Sequence, residues 1–159
     1  MSIEQGRFYF ISDAFFEKIG DPNIMMNYTT TKRPHYYAIR DEKTSLIWMI
    51  PCSSRVSKYK RIIEDRKRRN KSTLGIKIVR IRGEESVLLL QSMFPVREKY
   101  IVGEYIRAGM PVVISGEKID RKIEKDAKRV IMMFRRGMRF FPDQPDAMRI
   151  EQMMLDDLS

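Results

Sequence analysis

The sequence is short of the residues that build metal sites and disulfide frameworks. Cys52 is the only cysteine and His35 the only histidine among 159 residues. No internal disulfide can therefore form, and the usual ligand set of a zinc site is missing. No stretch approaches the roughly 20 consecutive apolar residues of a membrane span, and the first residues lack the basic and apolar regions of a signal peptide. These absences favour a protein of the reducing cytoplasm, without metal, cofactor or membrane.

The usual signatures of several enzyme classes are missing as well. There is no Gly-rich phosphate loop and no paired-carboxylate motif. Metal-dependent nucleases usually cluster Asp and Glu, whereas the most charged part of this chain is basic. Metal-independent RNA cleavage has smaller requirements, because the ribose 2′-OH attacks its own phosphate. The protein then supplies only a base, an acid and cations.

Positive charge is what the sequence has in excess, and most of it lies in one segment. Residues 55–71 contain nine Lys or Arg and two acids, which is +7 of the net charge of +10. No acidic run elsewhere balances this excess, so a phosphate backbone is the expected partner. The cations predicted to contact RNA are Arg33, Arg55, Lys60, Arg61, Arg66, Lys67, Arg68, Arg69, Lys71, Arg135, Arg136 and Arg139.

Hydrophobic periodicity predicts one domain over residues 1–159 that mixes strands and helices. Because the two do not alternate regularly, the sheet should be mainly antiparallel and the class α+β. Pro51 is expected to end a strand, and Ser57 to cap the basic helix. The expected strands cover 7–11, 35–39, 46–50, 74–81 and 86–91, and the expected helices begin near 13, 57, 117 and 146.

A short polar loop at 51–54 leads from the strand over 46–50 into the basic helix. A helix N-terminus presents backbone N–H groups and the positive end of the helix dipole, which favours a phosphate. Ser53 and Ser54 add hydroxyl groups there, and Arg55 and Lys58 add positive charge. The alternative is that the two serines only cap the helix.

A second candidate cluster precedes the strand over 35–39 and contains Tyr28, Lys32, Arg33 and His35. If this strand forms a hairpin with the next one, His35 lies near the far end of its partner, beside Ser53. Histidine titrates near pH 6.5 and could move protons there, although a lone histidine is more often structural.

Three segments, in this order, resemble the toxin component of type III toxin–antitoxin systems, the ToxN/AbiQ family, and especially its CptN subgroup. The resemblance covers roughly the first 60 residues and continues less sharply through 93–96 and the long C-terminal helix. The segments are Phe8-Tyr9-Phe10-Ile11-Ser12, Lys32-Arg33-Pro34-His35-Tyr36-Tyr37 and Met49-Ile50-Pro51-Cys52-Ser53-Ser54.

The resemblance implies a bacterial endoribonuclease with a compact, partly open antiparallel β-barrel and surrounding helices, related to the MazF/Kid toxins. It implies metal-independent cleavage of cellular RNA that leaves 2′,3′-cyclic phosphate and 5′-hydroxyl ends. The implied inhibitor is a small repeated, pseudoknotted RNA and not a protein. The toxin cuts this antitoxin from its precursor and is held by it in a closed RNA–protein assembly. Such systems can act in abortive infection against phage.

Carried over by residue, the family's Tyr and Lys before the second strand fall on Tyr28 and Lys32. Its hydroxyl pair after a proline falls on Ser53 and Ser54. Many members have a lysine very soon after that pair, where this chain has Arg55.

Arginine stays charged and is therefore a poor proton donor or base. The resemblance thus leaves three candidates for proton transfer: Lys32, His35 and Lys58.

Two other functions are compatible with the same basic segment. A non-catalytic RNA- or DNA-binding module would use residues 55–71 only to neutralise phosphates. A membrane surface or an acidic protein is the second alternative, but Tyr59, Ile62 and Ile63 form an apolar stripe too thin for a bilayer.

Overall fold

The computed structural model describes residues 2–27 and 31–158. Strands and helices are mixed along this part of the chain, as the sequence predicts. In chain order the elements are β1 (Phe8–Ile11), α1 (Asp13–Ile19), β2 (Pro34–Arg40), β3 (Ile47–Ser53), α2 (Val56–Arg68), β4 (Lys77–Ile81), β5 (Glu84–Leu88), β6 (Phe94–Val96), β7 (Ile101–Glu104), β8 (Ile106–Arg107), β9 (Met110–Pro111), β10 (Ile114–Ser115), α3 (Ile119–Arg135) and α4 (Ala147–Asp156).

Eight strands form one sheet in the order β10-β4-β5-β3-β2-β1-β7, and β6 also pairs with β3. The pairings are antiparallel. The chain passes from the β7 edge to the β10 edge through the small β8–β9 hairpin. Beside this hairpin the Val112 N–H donates to the Tyr105 carbonyl at 3.1 Å, and the Tyr105 N–H donates to Phe8 at 2.9 Å. The sheet is therefore curled but open, which confirms the predicted α+β class and partly open barrel.

One face of the sheet packs against α3. Tyr36 and Trp48, in neighbouring strands, are fully buried in the same cluster as Ile123, Val130 and Phe134 of that helix. These positions follow the three- and four-residue spacing that predicts the long helix from the sequence.

The opposite face packs against α1 and α4. Tyr37 and Met49 lie in a second cluster with Phe15 and Phe16 of α1 and Ile150 of α4. Successive residues of a strand point to opposite faces, so β2 and β3 are covered on both sides. Within the described residues, no helix combines the length and the apolar character that crossing a membrane requires.

The basic helix α2 lies along β5. Its half-buried stripe of Tyr59, Ile62 and Ile63 packs with the buried residues Val87 and Leu89. This packing matches the inner stripe predicted from the sequence, and it fixes the first turn of α2 next to the end of β3.

Two local predictions are wrong. Pro51 does not end its strand, because β3 continues to Ser53. The N–H and C=O of a strand residue point to the same side, and the Pro51 carbonyl accepts from Leu89 N at 3.0 Å. Pro51 has no N–H to donate, and it lies at the point where the pairing partner of β3 changes from β6 to β5. Ser57 does not cap α2, because the helix already begins at Val56 and Arg55 occupies the cap position.

A buried hydrogen bond joins the sheet to α3. The Tyr36 hydroxyl donates to Asp120 Oδ1 at 2.6 Å, and burial together with the Asp120 carboxylate raises the pKa of Tyr36. We predict that Tyr36→Phe lowers the free energy of unfolding by about 0.5–1.5 kcal/mol, because it removes a hydrogen bond whose acceptor, the exposed Asp120 carboxylate, can then be solvated by water. Urea denaturation followed by circular dichroism measures the loss.

Tyr59→Phe is the matched control, because no hydrogen bond of the Tyr59 hydroxyl is found in the described residues. It should leave the urea midpoint nearly unchanged. Equal midpoints for the two variants would contradict the proposed contribution of the Tyr36–Asp120 bond.

Candidate functional site

A pocket of about 470 Å³ lies where the end of β3 meets the segment before β2 and the β4–β5 hairpin. Three serine hydroxyls line it, from Ser53, Ser54 and Ser86, together with the guanidinium groups of Arg33 and Arg82. Pockets of this size hold a small molecule or about one nucleotide. The pocket thus joins the two clusters that the sequence singles out.

The pairing of β2 with β3 places Arg33 in this pocket. His35 lies opposite Pro51 in the antiparallel register, so the residues before β2 lie beside the end of β3. Arg33 Nη1 donates to the Cys52 carbonyl at 3.0 Å, and its Nε donates to the Met26 carbonyl at 3.1 Å. These bonds hold a positive charge beside the two serines.

Ser53 and Ser54 differ in exposure. Ser53 is 8% exposed, and its Oγ accepts a hydrogen bond from Arg55 N at 3.2 Å. This bond uses a lone pair, so the hydroxyl hydrogen remains able to donate into the pocket. Ser54 is exposed. Ser86 adds a third hydroxyl, which donates to the Ser53 carbonyl at 3.3 Å.

Cys52 is half-buried and lines the same pocket. Burial raises the pKa of its thiol to about 12, and the nearby charge of Arg33 offsets only part of that effect. The thiol is therefore neutral at physiological pH, and a neutral thiol is a poor nucleophile.

Lys32 lies next to Arg33 in the chain but does not line the pocket. Its Nζ is 3.6 Å from Asp13 Oδ2. The hydrogen bond from Asn27 and, secondarily, the charge of Lys32 lower the pKa of Asp13. Tyr28, the other residue carried over from the family, lies outside the described residues.

His35 lies in the core and is 0% exposed. Its ring packs near the rings of Phe16 and Phe94, with centroids 6.1 and 5.4 Å away. Nδ1 is 3.0 Å from the Arg33 carbonyl, and burial lowers the pKa of the imidazole to about 4. The prediction that His35 lies at the end of β3 is correct, but a fully buried ring cannot reach a phosphate. We therefore correct its assignment from proton transfer to packing.

Several cations of the basic helix pair with acids of the chain itself. Lys60 Nζ lies 2.9 Å from Glu85 Oε1 on the β4–β5 hairpin, and Lys67 lies 3.9 Å from Glu64. Asp65 accepts both Arg68 and Arg69, at 3.1 and 3.3 Å. These pairs are exposed, so each contributes little to stability and RNA can compete for them.

Three arginines predicted to contact RNA also form hydrogen bonds within the fold. Arg66 Nε donates to the Ser72 carbonyl at 2.6 Å, and its guanidinium lies 5.0 Å from the ring centroid of Phe141. Arg135 binds both carboxylate oxygens of Glu151, at 2.7 and 2.9 Å. Arg139 Nη1 donates to main-chain carbonyls. Arg66 is half-buried, whereas Arg135 and Arg139 remain exposed, as do Arg55, Lys58, Arg61, Lys71 and Arg136.

The pocket residues that escape prediction from the sequence include Arg82, Glu84, Ser86 and Tyr105. They reach it because β5 pairs with β3 and because Tyr105 follows the edge strand β7. The sequence signals the β4–β5 hairpin but not its neighbour in the sheet. Within residues 2–27 and 31–158, no three His, Cys, Asp or Glu side chains come together as a possible metal site.

The burial of His35 predicts a pH-dependent stability. The unfolded chain takes up a proton near pH 6.5 and the folded chain only near pH 4. Stability is therefore complete above pH 6.5 and falls as the pH drops, by about 3 kcal/mol at pH 4 from this one group. His35→Asn retains a donor for the Arg33 carbonyl but cannot titrate, so its urea midpoint should fall less steeply between pH 7 and 5. Parallel curves for the two proteins would refute this assignment.

Comparison with known proteins reveals a shared fold without clear sequence similarity. No protein-family model matches the sequence, and no curated protein sequence matches it. The structure is similar to that of AbiQ, described as a lactococcal anti-phage endoribonuclease belonging to the type III toxin–antitoxin system. The TM-score is 0.73 at 13% sequence identity, over 95% of this chain and 96% of that one. The resemblance to the ToxN/AbiQ family is thereby confirmed at the level of the fold.

Proposed function

We propose that this chain is the endoribonuclease toxin of a type III toxin–antitoxin system. It cleaves RNA without a metal ion, by attack of a ribose 2′-OH on the adjacent phosphate, and leaves 2′,3′-cyclic phosphate and 5′-hydroxyl ends. The observation that carries the proposal is the convergence of Arg33, Ser53 and Ser54 on one pocket beside a strongly basic helix. A fold shared with an endoribonuclease toxin supports it.

The hydroxyl and guanidinium groups of the pocket suit a phosphodiester. As the 2′-OH attacks, negative charge grows on the non-bridging oxygens. Donors that are already positioned stabilise this charge without reorganising. Ser53 and Ser54 donate to these oxygens, and the positive charge of the Arg33 guanidinium attracts the phosphate. Arg55, at the start of α2, adds charge to the same side.

We assign proton transfer to residues that the family resemblance implies. Tyr28 and Lys32 position and activate the 2′-OH, as the family resemblance implies, and Lys58 is the alternative proton carrier. Lys58 is exposed on the first turn of α2, with its Nζ 5.2 Å from the ring centroid of Tyr59. Neither His35 nor Cys52 takes part, because the first is buried and the second stays a neutral thiol.

The partner is RNA in two roles. Cellular RNA is the substrate, and a small repeated, pseudoknotted RNA is the antitoxin, which holds the toxin in a closed RNA–protein assembly. The exposed cations Arg55, Lys58, Arg61 and Lys71 provide the first contacts of both RNAs with α2. We place this activity in the cytoplasm and in defence against phage.

We predict that purified protein cleaves a cellular RNA in the presence of EDTA and that Ser54→Ala lowers kcat about 100-fold or more. Loss of one donor to a developing oxyanion has this effect in other enzymes. Ser53→Ala should also lower kcat. Gel electrophoresis measures the rate, and phosphorylation of the products by polynucleotide kinase detects the new 5′-hydroxyl ends.

Ser57→Ala is the matched control, because Ser57 is exposed on α2 and is not among the residues that line the pocket. It should cleave at the wild-type rate. Binding of RNA without any products would instead favour a non-catalytic binding module, and full activity of Ser54→Ala would exclude the proposed role of the serine pair.

The surface of α2 gives a prediction about binding. In the inactive Ser54→Ala background, Arg61→Gln should weaken RNA binding. It should also reduce the slope of log K against log salt concentration by about 0.7, which is the value for one phosphate contact with single-stranded RNA. Filter binding between about 50 and 200 mM salt gives the slope.

Lys122→Gln makes the same charge change on α3, outside the pocket and α2, and should leave the slope unchanged. If the two variants lower the slope equally, the protein responds to its net charge and α2 is not the RNA-binding surface.

A further inference from the structure

One wall of the pocket is chemically unsuited to a phosphate. In addition to the serines, Arg33 and Arg82, the lining contains Ile81, Val112, Tyr105 and the acids Glu84 and Glu85, and these five residues are what we call this wall. A carboxylate repels a phosphodiester, and apolar groups offer it no hydrogen bonds. This wall must therefore face a different part of the RNA.

The β4–β5 hairpin holds Glu84 in position. Arg82 and Gly83 form its two-residue turn with φ angles of 54° and 81°, which suit the tight turns of hairpins. Arg80 Nη1 donates to the Gly83 carbonyl at 3.1 Å. The next residue, Glu85, is held by Lys60 at 2.9 Å, so the hairpin is also attached to α2.

Glu84 itself is exposed at the pocket, and we find no ion pair or hydrogen bond for its carboxyl group in the described part of the chain. Its neighbour Glu85 is different, because the hydrogen bond from Lys60 lowers the pKa of Glu85. Of the two acids, Glu84 is therefore the one whose carboxyl group has no partner among the described residues.

An ionised carboxylate accepts hydrogen bonds and cannot donate them. Apart from the 2′-OH groups, the hydrogen-bond donors of RNA are the imino and amino groups of its bases. Unpaired bases also present flat faces that stack on aromatic and apolar side chains. Tyr105 contributes an aromatic ring to this wall, with the guanidinium of Arg107 4.3 Å and the ring of Phe10 5.6 Å from its centroid. The wall therefore has the two elements of a base-binding site.

We propose that Glu84 is a specificity-determining residue that accepts a hydrogen bond from the exocyclic amino group of a nucleobase next to the scissile phosphate. This inference rests on the proposed function. Adenine, cytosine and guanine carry such a group, whereas uracil has only an imino N–H flanked by two carbonyl oxygens, which repel a carboxylate.

The test compares four cleavage rates, those of the wild type and of Glu84→Ala, each on an RNA with the amino group and on an RNA without it. The cleavage site of the wild-type protein is mapped on an RNA of mixed sequence, and the RNA is then resynthesised without the amino group of the base at that site. Purine riboside replaces adenosine, inosine replaces guanosine, and pyrimidin-2-one riboside replaces cytidine. We expect wild-type cleavage to fall about tenfold or more, because a site built for a donor rejects an analogue that lacks it. Glu84→Ala should cleave both RNAs at the same reduced rate.

Glu117→Ala, an exposed acid outside the pocket, should discriminate as the wild type does. Glu84→Gln keeps a carbonyl acceptor and should therefore keep part of the discrimination between the two RNAs. This variant tests the inference even if Glu84→Ala folds poorly.

A wild-type preference for uridine, or full discrimination by Glu84→Ala, would overturn the inference and leave the proposed ribonuclease intact. Absence of any cleavage by the wild type would overturn both.

Discussion

Strands β2 and β3 pair in a defined antiparallel register that shifts once, between Tyr37 and Ile39, and the geometry of the candidate site follows from this pairing. Their residues alternate between two buried faces, so that Tyr36 and Trp48 face α3 whereas Tyr37 and Met49 face α1 and α4. A slip of one residue would exchange the faces of every side chain in the strand. The covered sheet therefore excludes other registers, and Arg33 reaches the carbonyl of Cys52 as a consequence.

The positive charge of the chain is divided between the fold and the surface. Arg66 and Arg135 bind carbonyl or carboxylate oxygens inside the molecule, and Lys60 attaches the β4–β5 hairpin to α2. A net charge counted from the sequence thus overstates what an RNA would meet. For RNA binding, the position of a cation matters more than the number of cations. Arg33, for example, has main-chain partners and still lines the pocket.

Signals that act within a few residues were predictable from the sequence. Gly20 ends α1 in the left-handed conformation, with φ of 59°, and Asp146 caps α4 by accepting from Arg149 N. The predicted position of His35 beside the end of β3 was also correct, since two neighbouring strands joined by a short turn leave little choice of partner.

Features that depend on distant parts of the chain were not predictable. His35 is buried because Phe16 of α1 and Phe94 of β6 close around it, and neither contact can be read from its neighbours in sequence. Glu84 and Ser86 reach the pocket only because β5 lies beside β3. The position of Pro51 inside a strand depends in turn on the change of partner from β6 to β5.

The β8–β9 hairpin connects the two edges of the open sheet, and it does so with little buried surface. Ile106 and Met110 are 47% and 67% exposed, and the turn uses Ala108 and Gly109 at positive φ. Tyr105 and Val112, at its two ends, belong to the pocket. Insertions or exchanges of residues in this hairpin would reshape the entrance of the pocket while the packed interior stays intact. Substitutions in this hairpin can therefore change the ligand preference of the pocket at a small cost in the free energy of folding.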